Sequence, residues 1–306
     1  MLAIHLAWQA ITLGMADIVV AGGVESMSTA PYYLRNARYG YGAGNGEILD
    51  PNTESQPGSQ PIEQYGRLTM GMTAENLAER YNISREEQDE FALASQEKAL
   101  AAIASGRFVD EIVPVPVPRK KGLPELFQVD EHPRQTSLEK LAALPPVFKP
   151  GGTVTAGNSS GRNDGASALV IMSEEAARAR GIKPMASIIG LGMSALAPDI
   201  MGLGPVEASR RALQHAGLEL EQMDLVEINE AFAAQVLAVL RELPVPREKL
   251  NVNGGAIALG HPIGNSGARI CVTLLHEMAK RGATYGLASL CAAGGQGIAT
   301  VFQLAS

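Results

Sequence analysis

Three short segments toward the C-terminus each set one reactive side chain among small residues. They are Asn229-Glu230-Ala231-Phe232-Ala233, Gly254-Gly255-Ala256-Ile257-Ala258-Leu259-Gly260-His261-Pro262 and Leu290-Cys291-Ala292-Ala293-Gly294-Gly295-Gln296-Gly297. Small residues let the backbone approach a ligand closely. An amide, an imidazole and a thiol brought together suit carbonyl chemistry, with a proton mover beside an oxyanion stabiliser. Taken singly, each has a plainer reading. A loop His is most often a polar surface residue, and a free Cys is most often a small buried hydrophobe. An Asn where a strand passes into a helix is most often an N-cap. The glycines around His261 and after Cys291 favour a site instead, because they open space beside the ring and the sulfur. His5, His132, His215 and His276 have no such surroundings and read as structural, as does Cys271 on the apolar face of a helix.

The elements that must carry these residues follow from periodicity and punctuation. Residues 1 to 14 read as a helix ended by Gly14, and 17–21 as a buried strand closed by Gly22-Gly23. From 28 to 61 the chain is rich in Gly, Pro, Asn and Tyr without a period, the pattern of a long surface loop. Ser84 and Glu87 form a capping box for a helix that stops at Gly106. The alternating Val-Pro run 113–118 must be extended, and 166–172 reads as a strand. Ser173 caps a short helix ending at Gly181. Strands then alternate with helices: strand 186–194, helix 205–216, strand 225–228, helix 230–242, helix 263–281, and strands 284–290 and 297–304. Such alternation predicts an α/β fold with a largely parallel sheet. One repeat stands out. The helix before Gly282, its following strand and Gly294-Gly295 echo the opening helix, strand and Gly22-Gly23. Ser266 lies near the start of the second helix; the matching cap of the first would precede Met1, so the chain is expected to begin inside a helix.

Composition limits the function classes. A chain of 306 residues with 46% apolar and 19% charged residues can bury a substantial core in about two domains. Its net charge of −7 argues against a nucleic-acid partner, which needs clustered Lys and Arg. Two cysteines imply no disulfide framework and point to a reducing, cytoplasmic location. No apolar run nears the roughly 20 residues of a membrane span, so no membrane partner is expected.

In order and wording the three segments resemble the thiolases, which make or cleave 3-ketoacyl-CoA, and the resemblance runs from Met1 to Ser306. It implies a thiolase-like α/β fold of two similar halves with mixed sheets, the first half incomplete. On this pattern 1–27 and 161–182 belong to the N-terminal half, 28–160 form an inserted CoA-binding loop domain, and 183–306 form the C-terminal half. The resemblance assigns His261 to assist a nucleophilic Cys and donate to the thioester oxygen. It assigns Cys291 as the acid/base at the α-carbon of acetyl-CoA, and Asn229 as the holder of a water that polarises the carbonyl. Glu230 would brace the loop. Ser160, in Thr155-Ala156-Gly157-Asn158-Ser159-Ser160-Gly161, would meet the pantetheine arm. Met70, Met201, Ala231 and Phe232 would line the acyl site, although core filling is the plain reading of each Met. Arg134 would lie near the adenine, and Arg119-Lys120-Lys121 is either a solvated turn or charge offered to the CoA phosphates. Ala293 stands where the commonest pattern has a Gly that supplies an oxyanion-hole N–H.

No metal and no tightly bound cofactor is implied; CoA thioesters are the substrates. The family nucleophile, a Cys in a Cys-x-Ser-Gly context, is expected just ahead of Met1. The chain as it stands is therefore expected to be truncated and inactive in thiolysis, with a non-catalytic CoA-binding or assembly remnant as the alternative. A homo-oligomer is expected when the N-terminal segment is present, and without it the first-half sheet should expose an unpaired edge and apolar surface. Ketoacyl synthases share the fold but pair their Cys with two His, which the set Asn229, His261 and Cys291 disfavours.

Overall fold

The computed structural model describes residues 1–305. The chain opens with α1 (Leu2–Thr12) and β1 (Ile18–Ser26), then the short helices α2 (Pro51–Glu54) and α3 (Ile62–Tyr65). Helices α4 (Met70–Arg80) and α5 (Arg85–Ala104) lead into the ribbon β2 (Val115–Val117) and β3 (Glu125–Phe127). Next come α6 (Leu138–Ala142), β4 (Asp164–Met172), α7 (Glu174–Ala179), β5 (Ala186–Ala195), α8 (Gly204–Ala216) and β6 (Leu225–Ile228). The chain closes with α9 (Ala233–Glu242), α10 (Ala256–Leu259), α11 (Ile263–Arg281), β7 (Tyr285–Ala292) and β8 (Gln296–Leu304).

Local signals explain the boundaries. The Ser84 hydroxyl accepts the Glu87 N–H at 3.1 Å while Glu87 takes the Ser84 N–H at 3.0 Å, so the capping box starts α5 as expected. Ser173 caps α7 from one side only, its hydroxyl accepting the Ala176 N–H at 3.1 Å. The Val-Pro run pairs as β2 with β3, exposed on both faces. The long loop holds α2 and an isolated Tyr33–Leu49 bridge.

Two sheets form the frame. One pairs β1 with β4 antiparallel; the other runs β5-β8-β7-β6. In the larger sheet only β6 and β7 are parallel, so the sheet is mixed rather than largely parallel. The reason is local: β7 and β8 are joined by a tight turn at 293–295, and a connection that short permits only an antiparallel partner. Helix α11 lies between the sheets, touching β1 and β4 on one side and β6 and β7 on the other. One core cluster joins α1, α11 and the inner faces of both sheets through Ile4, Ile270, Leu274, Met278 and Phe302. A second cluster packs α5, α8 and α9 on the other face of the larger sheet.

Two expectations need correction. Gly22 and Gly23 do not close β1; they sit inside it. A Cβ on Gly22 would stand 2.2 Å from the Ser167 carbonyl oxygen, and one on Gly23 would stand 2.1 Å from that of Gly264. These glycines let β4 and the start of α11 approach the strand, so they cannot match Gly294-Gly295, which make the β7–β8 turn at φ 82° and 85°. β1 is also only half-buried, with its free edge and Val20 and Val24 in solvent.

Candidate active site

The site gathers at the carboxyl ends of the parallel strands β6 and β7, where α/β sheets commonly place ligands. Residues 229–232 follow β6 without entering a helix, bending at Ala231 before Phe232 is extended again. Phe232, not Asn229, is the N-cap position of α9. The segment stays out of helix because a loop from the middle of the chain runs beside it. Ser159 bridges Phe232, the Ser160 N–H donates to the Ala231 carbonyl at 3.0 Å, and the Ala233 N–H donates to that of Asn158 at 2.9 Å. Asn229 is thereby relieved of capping. Its backbone N–H holds the Ser289 carbonyl of β7 at 3.0 Å, and its amide nitrogen points at His261 Nε2, 3.4 Å away. Its Oδ1 is buried without a protein partner.

His261 sits on the turn between α10 and α11. Gly260 turns the chain at φ 97° against the Asn163 amide, and Asn163 Oδ1 accepts the His261 N–H at 3.2 Å. On the far side of the ring, Nδ1 lies 2.6 Å from the Ser266 hydroxyl. Burial, with the Arg269 charge adding to it, pushes the imidazole down to about 4, so His261 is neutral near pH 7.

Glu230 locks the two halves of the site together. Its carboxylate is fully buried and accepts from the Ser95 hydroxyl at 2.6 Å, the Asn251 amide at 2.8 Å and the Ile257 N–H at 3.2 Å. A Cβ at Gly255 would meet that carboxyl group at 2.2 Å, which is why glycine stands there. Glu230 thus ties the segment bearing Asn229 to the turn bearing His261, the bracing role its position suggested. Burial raises its pKa, and the three donors work against that rise.

Cys291, at the end of β7, lies in an apolar cluster with Met201, Ala231, Phe232, Ala74, Ala78 and Val154, and Met70 and Phe148 pack against it. The structure therefore brings the thiol and four expected lining residues into one apolar cluster. Burial pushes the Cys291 thiol up to about 12, so it is protonated near pH 7. Ala293 lies in the β7–β8 turn just beyond, and Ser160 faces the same region through Ala231. Arg134 is not part of this cluster. Its N–H is held by Gln96 Oε1 at 2.9 Å, while the residue is exposed. Arg119 is exposed and ion-paired with Glu125 across the β2–β3 ribbon. Cys271 is buried on α11, its thiol donating to the Gly267 carbonyl at 3.3 Å, and burial pushes it to about 12.

Sequence reasoning missed three supporting residues, Ser95, Asn163 and Asn251, while His132, read as structural, supports the wall as well. His132 Nδ1 is 2.7 Å from the Ala258 carbonyl, and its ring packs on Gly161, so it joins the two loops of the wall. No local signal marks these residues, because each acts across a long separation in sequence. Among the described residues, no group of three or more His, Cys, Asp or Glu could hold a metal ion. No helix among them is long and apolar enough to cross a membrane.

Comparison with known proteins agrees with this fold. Residues 1–175 match the family model of the thiolase N-terminal domain, and residues 182–304 match that of the thiolase C-terminal domain. The acetyl-CoA acetyltransferase of Pseudomonas aeruginosa is 54% identical over 298 residues, 97% of this chain and 75% of the relative. The crystal structure of the Bacillus anthracis acetyl-CoA acetyltransferase superposes with a TM-score of 0.95 at 50% identity, covering 99% of this chain and 76% of that one. Human mitochondrial 3-ketoacyl-CoA thiolase, solved in complex with CoA, superposes with a TM-score of 0.93 at 49% identity, covering 100% of this chain and 75% of that one. With both family models matched along nearly its whole length, this chain belongs to the thiolase family of acyltransferases.

Proposed function

We propose that Asn229, His261 and Cys291 are the acyl-transfer machinery for acetyl-CoA and 3-ketoacyl-CoA thioesters, in Claisen condensation or its reverse, thiolysis. The observation that carries this is the meeting of the Asn229 amide with His261 Nε2, at the end of the strand whose Cys291 thiol lies in the apolar cluster. A neutral imidazole can take the proton of a thiol nucleophile and then, as imidazolium, donate it toward the oxygen that gains charge. The orphaned Oδ1 of Asn229 suits a water O–H, which would leave that water's oxygen free of the amide and able to turn a proton to the carbonyl. Cys291, held as a thiol, serves as acid to an α-carbanion in thiolysis, and its thiolate serves as base in condensation.

Met70, Met201, Ala231 and Phe232 line the acyl pocket in this reading, Ser160 meets the pantetheine arm, and the Ala293 N–H faces the developing oxyanion. Residues 28–160 form the CoA cradle, with Arg134 at the adenine. The CoA complex of the human thiolase supports the cradle by likeness. Both cysteines are free, which suits a reducing, cytoplasmic setting.

Neither cysteine of the 306 residues has the surroundings of an acyl carrier. Cys271 is sealed in the core, and Cys291 is held as a thiol that must move protons. The 306-residue polypeptide should therefore bind CoA without becoming acetylated. Intact-mass analysis after incubation with acetyl-CoA tests this; a stoichiometric acetyl adduct with steady CoA release would overturn it. The proton-transfer assignment has its own assay, exchange of the acetyl α-hydrogens of bound acetyl-CoA with D2O. Exchange should fall to the solvent background in Cys291→Ala and by ~100-fold or more in His261→Ala, the scale of losing an oxyanion donor. Wild-type exchange in Cys291→Ala would remove Cys291 from that role.

A further inference from the structure

We propose that Ser266 is a positioning residue that holds the single ring proton of His261 on Nδ1 and so turns the lone pair of Nε2 toward the reaction. The idea rests on the reading of His261 as the site's imidazole, but its support is geometric. Ser266 is fully buried in the first turn of α11, where it leaves the helix N-cap to Pro262. Its hydroxyl lies 2.6 Å from His261 Nδ1 and 2.9 Å from the Pro262 carbonyl oxygen. A hydroxyl has one proton, and a carbonyl can only accept. With that proton given to Pro262, the short contact to Nδ1 requires the imidazole N–H as donor.

The other end of the ring agrees. The group facing Nε2 is the Asn229 amide nitrogen, which can only donate, so Nε2 must present its lone pair. The chain of protons then runs one way, from Asn229 N–H to Nε2, and from Nδ1–H through Ser266 to Pro262. The competing pattern reverses it: Ser266 donates to Nδ1, and Nε2–H faces an amide turned over. Turning the amide gives Oδ1 a partner but strands an NH2 group with two donors in the same buried place. It also gives up the Ser266 bond to the Pro262 carbonyl.

The consequence is chemical. With Nε2 unprotonated, the S–H bond of an incoming thiol breaks as an N–H bond forms at Nε2, and the sulfur keeps the electron pair as thiolate. The resulting imidazolium holds one proton against Ser266 and presents the other, newly gained, to the substrate oxygen. With the tautomers exchanged, Nε2 could donate from the start but could not first receive.

The test needs no turnover. In the 306-residue chain labelled with 15N-histidine, a long-range proton–nitrogen correlation at pH 7 separates pyridine-like from pyrrole-like ring nitrogens, and His261→Gln assigns the signal. Nε2 of His261 should be pyridine-like and Nδ1 pyrrole-like. In Ser266→Ala the two shifts should draw together as the tautomers mix, and Ser266→Thr, which keeps the hydroxyl, should restore their separation. A pyrrole-like Nε2 in the wild-type chain would overturn the proposal whether or not any variant folds, and an unchanged spectrum in Ser266→Ala would overturn the role of Ser266. Because the tautomer is read without turnover, a chain that failed the α-hydrogen exchange assay would still decide this point.

Discussion

In both the α1–β1–β4 and the α11–β7–β8 units a helix ends before a left-handed glycine, Gly14 at φ 68° and Gly282 at φ 64°. In both, the next N–H reaches back five residues, from Met15 to Ala10 and from Ala283 to Met278, the bond of a Schellman cap. Each helix then feeds a strand that pairs antiparallel with a later one, β1 with β4 and β7 with β8. The units part company at their neighbours. β7 has β6 on its other side and is buried from Gly286 to Cys291, whereas β1 has a free edge and shows Val20 and Val24 to solvent. β6 delivers Asn229 beside the end of β7, whereas among the described residues β1 is paired with β4 alone. A shared local plan therefore gives shared local elements, while the strand partners of the two units differ.

The largest expected contrast is in packing. Leu287, fully buried in β7, should cost about 2–5 kcal/mol when changed to Ala, the range for a large core side chain. Val20→Ala on β1, with Val20 71% exposed, should stay within ~0.5 kcal/mol. Urea unfolding at constant m-value measures both, and similar losses at the two sites would erase the proposed difference between the units.

Next in size is acid sensitivity, which each helix carries in its own buried imidazole. His5, on α1, is pushed down to about 4 by burial, and its Nε2 lies 2.9 Å from the Thr300 hydroxyl. His261, at the head of α11, is pushed to the same range. Both folded values lie below the ordinary 6.5, so the unfolded chain takes these protons first as pH falls. Their contribution is flat above ~6.5 and is lost between ~6.5 and ~4. Glu227 slopes the other way: burial raises it to about 8, so the folded chain holds a proton that the unfolded chain releases above 4.5. The difference in stability between wild type and His5→Asn isolates one imidazole. It should change by at most ~3 kcal/mol from pH 7 to pH 4, at 1.36 kcal/mol per pH unit. A pH-independent difference would mean that His5 titrates normally.

A smaller effect tests where the units touch. In Gly23→Ala the new methyl would be driven into the Gly264 carbonyl at the start of α11, costing ~1–3 kcal/mol as overpacking. Because Gly264 lies three residues from His261, the His261 ring signals should shift as well. Unperturbed signals together with unchanged stability would show that the close approach of β1 to α11 has no bearing on the site.

Much of the frame was legible in the chain. The Ser84–Glu87 box, the Ser173 cap and the glycines after α1, α5, α7, α8 and α11 set boundaries through bonds to near neighbours, so local pattern is enough. The three reactive residues were legible for a similar reason: each stands in a short run of small residues that a plain core element would not need. Pair direction and capping were harder. The sheet looked parallel from its alternation, yet the tight 293–295 turn makes β8 antiparallel to β7. Asn229 looked like an N-cap, yet the distant 158–160 loop keeps the chain out of helix through Phe232 and frees the amide for His261.

The sequence by itself determined the order of helices and strands, their capped ends, and the kinds of side chain available for acyl transfer. These rest on torsional preference, period and hydrogen bonds spanning a few residues. Only the tertiary structure decided which of those side chains meet. Glu230 reaches Ser95, Asn251 and Ile257, His261 meets Asn163 and Asn229, and Cys291 packs in one apolar cluster with Met201 and Phe232. It also set their protonation. A neutral imidazole and a protonated thiol follow from desolvation, and desolvation is a property of everything packed around a group rather than of the residues beside it in the chain.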